Sequence, residues 1–317
     1  MYTIEPYTPA EASLWDATVE TSRNGTFLLR RGYMDYHSHR FADRSLLVRD
    51  ARGGIAALFA AADQSMSGGT PDEIVAHPGL TYGGLVLPPD IYGSEVVDIM
   101  ECVADYWRQQ GRKRMLYRAI PWIYHRQPAE DDVYALFRLG AQLHSCTLAS
   151  VWLTESAPQR NQNTRRNIAR GRAEGILVER STRWRDFHAL LSATLAERHG
   201  ATPVHSADEL YRLAKAFPDN ISLHTASAPD GEMLAGTVIF STATTDHVQY
   251  IASTEQGRSR RALPVLFDTL MKASTARCFD FGTSNEDSGR ILNHGLNHQK
   301  GGFGARGVAY NTWILDL

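Results

Sequence analysis

Apolar residues recur along this 317-residue chain with two periods, and the order in which the periods change is repeated once. Residues 45–50 and 55–60 are short apolar runs on either side of Gly53-Gly54, a pattern that predicts a β-hairpin. Residues 222–226 and 233–240 repeat it around Asp230-Gly231, a turn pair in which glycine accepts positive φ. In the first half, Leu85, Val86 and Leu87 then form a strand. Val96, Val97, Met100, Val103, Ala104 and Trp107 follow at helical spacing, and Gly111 ends that helix. A strand over 114–120, a helix over 131–139 and a strand over 143–153 complete the unit. The second half runs in the same order. A strand over 247–252 leads to a helix with Leu263, Leu266, Phe267, Leu270 and Met271 on one face. A strand over 278–281, a helix near 288–297 and a strand over 308–315 follow. Helices over 159–174, 184–199 and 207–217 lie before the second hairpin. The reading is an α/β (α+β) chain of two tandem domains, 1–153 and 154–317, each a mixed sheet flanked by helices.

Composition agrees with two domains: 43% of residues are hydrophobic, enough for two cores of ordinary size. The net charge of -2 gives no global reason to expect a nucleic-acid-coating protein, although the helix over 159–174 gathers Arg160, Arg165, Arg166, Arg170 and Arg172. No apolar run approaches a membrane span, and residues 1–6 lack the basic and apolar regions of a signal peptide, so the expected location is cytoplasmic. Cys102, Cys146 and Cys278 sit in apolar patterns and read as buried free thiols. No metal is expected. His294 and His298 are four apart, but Gly295 stands where a zinc protease needs glutamate.

The chemistry concentrates near the C-terminus. The chain has only four lysines, Lys113, Lys215, Lys272 and Lys300, among 33 cationic residues. Lys300 precedes Gly301-Gly302-Phe303-Gly304, where a compact mobile charge suits a tight turn better than a planar guanidinium. Asp280, Glu286 and His247 are the candidates for proton handling. Asp280 lies on the strand Phe279-Asp280-Phe281-Gly282 and is expected to pair with the lysine or act as a base. Asn285 and Glu286 follow the strand end, where α/β folds place ligands; capping the next helix is the competing role. The region around 128–142 of the first half lacks both lysine and glycine turn, which assigns the site to the second half.

Three stretches carry a family resemblance: Thr164-Arg165-Arg166-Asn167, Phe279-Asp280-Phe281-Gly282 and Gly295-Leu296 through Lys300 to Phe303-Gly304. They resemble the basic helix, core strand and glycine-leucine…lysine…phenylalanine-glycine element of Fem-type aminoacyl transferases, which use the GNAT fold twice. His77-Pro78-Gly79 and Tyr82-Gly83-Gly84 extend the likeness to the first half. The resemblance implies two tandem GNAT-like domains and an N-acyltransferase. An activated acyl group would pass by direct attack to the amine of a small polar, sugar or peptide-like acceptor. Acyl-CoA is the favoured donor substrate, aminoacyl-tRNA the alternative, and no cofactor is bound permanently. A non-catalytic binding protein of the same fold is the second alternative.

The implied catalytic residues are Lys300 and Asp280, with Lys300 set against the oxyanion or a phosphate; a lysine that only complements a helix dipole is the competing reading. Arg258, Arg260 and Arg261 are assigned to the donor, and Asn285, Glu286, Tyr82 and His77 to the acceptor, with Tyr36 beside them. Three positions depart from the pattern. Arg261 replaces a glycine of the pyrophosphate loop, Gly301 an acid, and Asn311 an aspartate.

Overall fold

The computed structural model of the chain describes residues 2–63, 72–156 and 159–317. The first part builds strands β1 (Thr3–Pro6), β2 (Leu46–Arg49), β3 (Ile55–Ala60), β4 (Ala62–Asp63), β5 (Glu73–Val75), β6 (Gly84–Val86) and β7 (Arg114–Arg118). Its helices are α1 (Ala12–Thr21), α2 (Arg31–Met34), α3 (Ser94–Gln109) and α4 (Asp131–Arg138). Strand β8 (Gln142–Leu153) leads to α5 (Gln162–Ala173), β9 (Leu177–Ser181), α6 (Trp184–His199) and α7 (Ala207–Ala216). Then come β10 (Ile221–Ser227), β11 (Met233–Ser241), β12 (Thr245–Ser253), α8 (Glu255–Ser259), α9 (Ala262–Ala273) and β13 (Cys278–Thr283). Short strands β14 (Asn285–Glu286) and β15 (Ile291–Leu292) precede α10 (His294–Gly301) and β16 (Arg306–Asp316). No helix among the described residues is long and apolar enough to cross a membrane.

The chain divides into two compact units. One comprises Met1–Thr147, Asn285–Ile291 and Ala309–Leu317; the other comprises Leu148–Ser284 and Leu292–Val308. In the first, β1, β2, β3 and β6 form an antiparallel sheet in that order. The β2–β3 hairpin sets Leu46 opposite Phe59 and Val48 opposite Ala57. β5 runs parallel to β7, and residues 312–316 of β16 pair antiparallel with β7. Helix α3 buries Val96, Ile99, Met100, Val103 and Trp107 in a core shared with Phe59, Met115 and Leu315.

In the second unit, β9, β10, β11 and β12 are antiparallel neighbours, β12 runs parallel to β13, and β13 pairs antiparallel with β8. Helices α5 and α9 pack closely because residue 171 has no side chain. A Cβ there would lie 2.8 Å from the Arg261 carbonyl oxygen. The core below the site is aromatic: Phe281 meets Phe267, Phe279 and Phe303 at ring separations of 5.1 to 5.4 Å.

Several sequence expectations need correction. The helix placed near 288–297 begins at His294 instead. Asp287, Ser288 and Gly289 have φ of +47°, +53° and +96°, which no α-helix accommodates. Asn293 starts α10 by accepting from the Leu296 N–H at 3.0 Å. Strand β9 and helix α8 were not anticipated. Of the three thiols only Cys278 is buried, while Cys146 is exposed and Cys102 partly so. The last nine residues belong by their contacts to the first unit.

Candidate active site

In the second unit β12 and β13 form a fork. Their parallel pairing covers only Thr245 with Cys278, Asp246 with Phe279 and His247 with Asp280. Register irregularities flank the fork. One lies between Val238 and Ile239 where β11 meets β12, and the other between Asp280 and Thr283 where β13 meets β8. Such bulges bend a strand and re-aim its side chains. His247 and Asp280 therefore stand at the last paired position before the ladder stops.

Asp280 is fully buried. Its carboxylate accepts from His247 Nδ1 at 2.7 Å through one oxygen and from the Gly282 N–H at 2.7 Å through the other. A carboxylate accepts only, so the imidazole carries its proton on Nδ1 and Nε2 is the basic nitrogen. Asp280 thus pairs with His247, and its charge also acts on Lys300.

Lys300 sits in the last turn of α10, 6% exposed. Its ammonium donates to the carbonyl oxygens of Gly282 at 2.9 Å and Thr283 at 2.7 Å. An ammonium has three donors, and the third has no hydrogen-bond partner among the described residues. Burial lowers the lysine pKa to about 8, opposed by the charge of Asp280. Gly282 joins the two halves of this arrangement. Its N–H holds Asp280, its carbonyl holds Lys300, and a Cβ on it would come within 3.6 Å of His247 Cε1. Its φ of +72° is one that glycine adopts without strain.

The arginines of the donor segment separate. Arg258 and Arg261 line a cavity of about 330 Å³ together with Asn161, Thr164, His298 and Phe303. Arg258 Nη1 donates to the Ser253 carbonyl and Arg261 Nη1 to the Arg258 carbonyl, both at 3.0 Å. Arg260 faces elsewhere, against the carboxylate and carbonyl of Glu174. The backbone of this segment is largely occupied. The N–H groups of Gly257, Arg258, Arg260 and Arg261 all bond within residues 254–261. Arg261 takes φ +63° as the N-cap of α9, and Pro264 in the first turn has no N–H.

The four acceptor candidates belong to the first unit. Tyr82 is buried, donating to Thr26 Oγ1 at 3.1 Å and packed 4.6 Å from the Tyr124 ring. His77 is buried against His37, and burial lowers its pKa to about 3. Both pack in the interior of the first unit, and Tyr36 stacks on the His37 ring. Asn285 closes a turn by donating to the Gly289 carbonyl, and Glu286 is exposed next to it. Neither caps α10. Asn161, which caps α5 by accepting from the Thr164 N–H at 2.8 Å, and His298 were missed as cavity residues. An Asn three residues before a Thr was the available signal for the cap.

Residues 158–288 match the acetyltransferase (GNAT) domain family. No curated protein matches the chain. Among solved structures the fold is similar to FemX, with a TM-score of 0.71 at 14% identity, covering 99% of this chain and 97% of FemX. It is similar to L-PGS from Bacillus licheniformis, with a TM-score of 0.60 at 13% identity, covering 96% and 91%. A tandem GNAT protein from the clavulanic acid biosynthesis pathway aligns with a TM-score of 0.51 at 12% identity, covering 100% and 98%. Residues 158–288 are thus similar to the acetyltransferase (GNAT) domain, in a chain whose fold is similar to FemX and to a tandem GNAT protein.

Proposed function

We propose that the chain is an N-acyltransferase that moves an acyl group from acyl-CoA to an amine, with the reacting centre at the β12–β13 fork. The observation that carries this reading is the His247–Asp280 pair at the fork, tied through Gly282 to Lys300. Acyl transfer needs a base for the attacking amine and positive charge near the developing oxyanion. Asp280 orients the His247 ring by accepting from its Nδ1–H, so Nε2 accepts the proton as the amine nitrogen attacks the thioester carbon. The C–N bond forms, the carbonyl π pair moves to oxygen, and Lys300 supplies charge to that oxygen. Collapse breaks the C–S bond, and the departing thiolate takes up the proton. No covalent enzyme intermediate is required. Beyond His247 the β12 edge has no register partner on β13, which suits an extended pantetheine arm adding itself as a strand. Arg258 and Arg261 are assigned to the donor phosphates, and an amine on a small polar, sugar or peptide-like molecule is the acceptor.

A specific observation favours a second donor, aminoacyl-tRNA. The N–H groups of Gly257, Arg258, Arg260 and Arg261 are spent on local acceptors, which shifts phosphate contact towards arginine side chains. Titration of the full chain with acetyl-CoA and, separately, with charged tRNA distinguishes them. Saturable acetyl-CoA binding, weakened at least ~10-fold by Arg258→Gln, is expected for the loss of one charge-assisted phosphate contact. Binding of neither donor would overturn both readings.

A further inference from the structure

Helix α4 turns one face into the core of the first unit and leaves the other bare. Asp132, Ala135 and Leu136 are buried, whereas Glu130, Tyr134, Phe137 and Arg138 are exposed. At about 100° per residue, the four exposed side chains share an arc of about 100°. Tyr134 is 55% exposed and Phe137 70%. Tyr92, 65% exposed, stands beside the first turn, because the Gly93 N–H donates to Asp131 Oδ1 at 2.8 Å. The three rings together leave roughly 300–400 Å² in water, the size at which an apolar patch marks an interaction site.

The charges at the two ends of this face are opposite and free. Asp131 is already engaged, by the Gly93 N–H and by Arg23 at 3.0 Å. Glu130 and Arg138 have no ion-pair partner among the described residues. Glu130 lies four residues before Tyr134, and Arg138 four residues after it. Two copies of the helix laid antiparallel about a twofold axis at Tyr134 therefore set each Glu130 opposite an Arg138 of the other copy. Tyr134 then meets its own equivalent, with Phe137 beside it. The face is thus self-complementary in charge and in apolar surface. A parallel alignment would oppose like charges instead.

We infer that this face of α4 is the contact through which two copies of the chain form a twofold dimer. The inference is independent of the acyltransferase reading. A contact below the standard interface size associates weakly, so sedimentation velocity of the full chain is followed from about 1 to 200 μM. The expected result is a reversible monomer–dimer equilibrium that weakens with salt, because exposed ion pairs are screened. Glu130→Arg or Arg138→Glu alone should weaken it ~10-fold or more, since the axis makes both contacts like-charged. An equimolar mixture of the two variants should recover it, because one copy then carries two arginines and the other two glutamates. Phe137→Ser should also weaken it ~10-fold, through lost apolar burial. All three side chains are exposed, so thermal unfolding midpoints should stay within a few degrees of wild type. A chain monomeric across the range, a dimer indifferent to the substitutions, or a mixture that fails to recover would overturn the inference. So would a monomer that sediments with phosphatidylglycerol vesicles and ceases to in Phe137→Ser, which would give the face to a lipid surface.

Discussion

The role proposed for Lys300 rests on an environment that elementary electrostatics makes testable. Removing the Lys300 charge should slow transfer at least ~100-fold in Lys300→Ala, on the scale of losing one oxyanion donor. Its pH dependence has a definite sign. Burial brings the lysine to about 8, so the ammonium is complete well below that pH and lost above it. Transfer by the wild type should therefore decline on its basic limb near pH 8. Lys300→Arg, whose guanidinium stays charged, should move that limb beyond the measurable range even if its maximum rate is lower. A basic limb that remains near pH 8 in the arginine variant would assign it to another group. Lys300 stood out in the sequence because lysine is rare here and glycines follow it, but its bonds to the end of β13 were not readable there. Asp280 was legible as a buried strand carboxylate, but its partner was not. The contact with His247 depends on the parallel register of two strands joined through α8 and α9, and no local pattern encodes that register.

At the scale of elements, the fork is held in shape by the way β13 ends. Gly282 breaks the strand at φ +72°, and the carbonyls exposed there become the acceptors of Lys300. In Gly282→Ala the new Cβ would find ordinary contacts, 3.6 Å from His247 Cε1 and 3.8 Å from the Val248 carbonyl oxygen. The cost is then conformational, about 1–2 kcal/mol for a left-handed non-glycine residue. A fall in the unfolding free energy of that size, with a larger proportional fall in transfer rate, is expected. An alanine variant as stable and as active as wild type would remove Gly282 from the argument. Hairpins, strands and the long helices were readable from their periods. Helix α10 was displaced by about six residues because three consecutive residues, only one of them glycine, take left-handed φ before it. Local propensity gives no warning of such a run at Asp287 and Ser288.

For the whole molecule, the repeated order of hairpin, strand and helix was visible, and each unit does build its own core. What escaped the sequence reading is that the end of β16 returns to the first unit. Its residues 312–316 pair with β7, and Leu315 enters that core. Strand partners distant in the chain leave no periodic trace. Within the same core Tyr117 donates to Asp132, and burial raises the Asp132 pKa to about 6. The native state thus holds a proton that the unfolded chain releases near 4. Stability should decline as pH rises from about 4 to 6, where the unfolded state binds fewer protons. Asp132→Asn should flatten that part of the stability profile in denaturant titrations; an unaltered slope would mean that another group carries it.

The central claim is that an acyl group passes to an amine at the His247–Asp280 fork. Release of free thiol from acetyl-CoA, followed with a panel of primary amines for wild type and His247→Ala, tests it most directly. The expected result is amine-dependent thiol release that falls at least ~100-fold in the variant, the range of a lost general base. Thiol release that ignores the amines, or that proceeds as fast without His247, would contradict it.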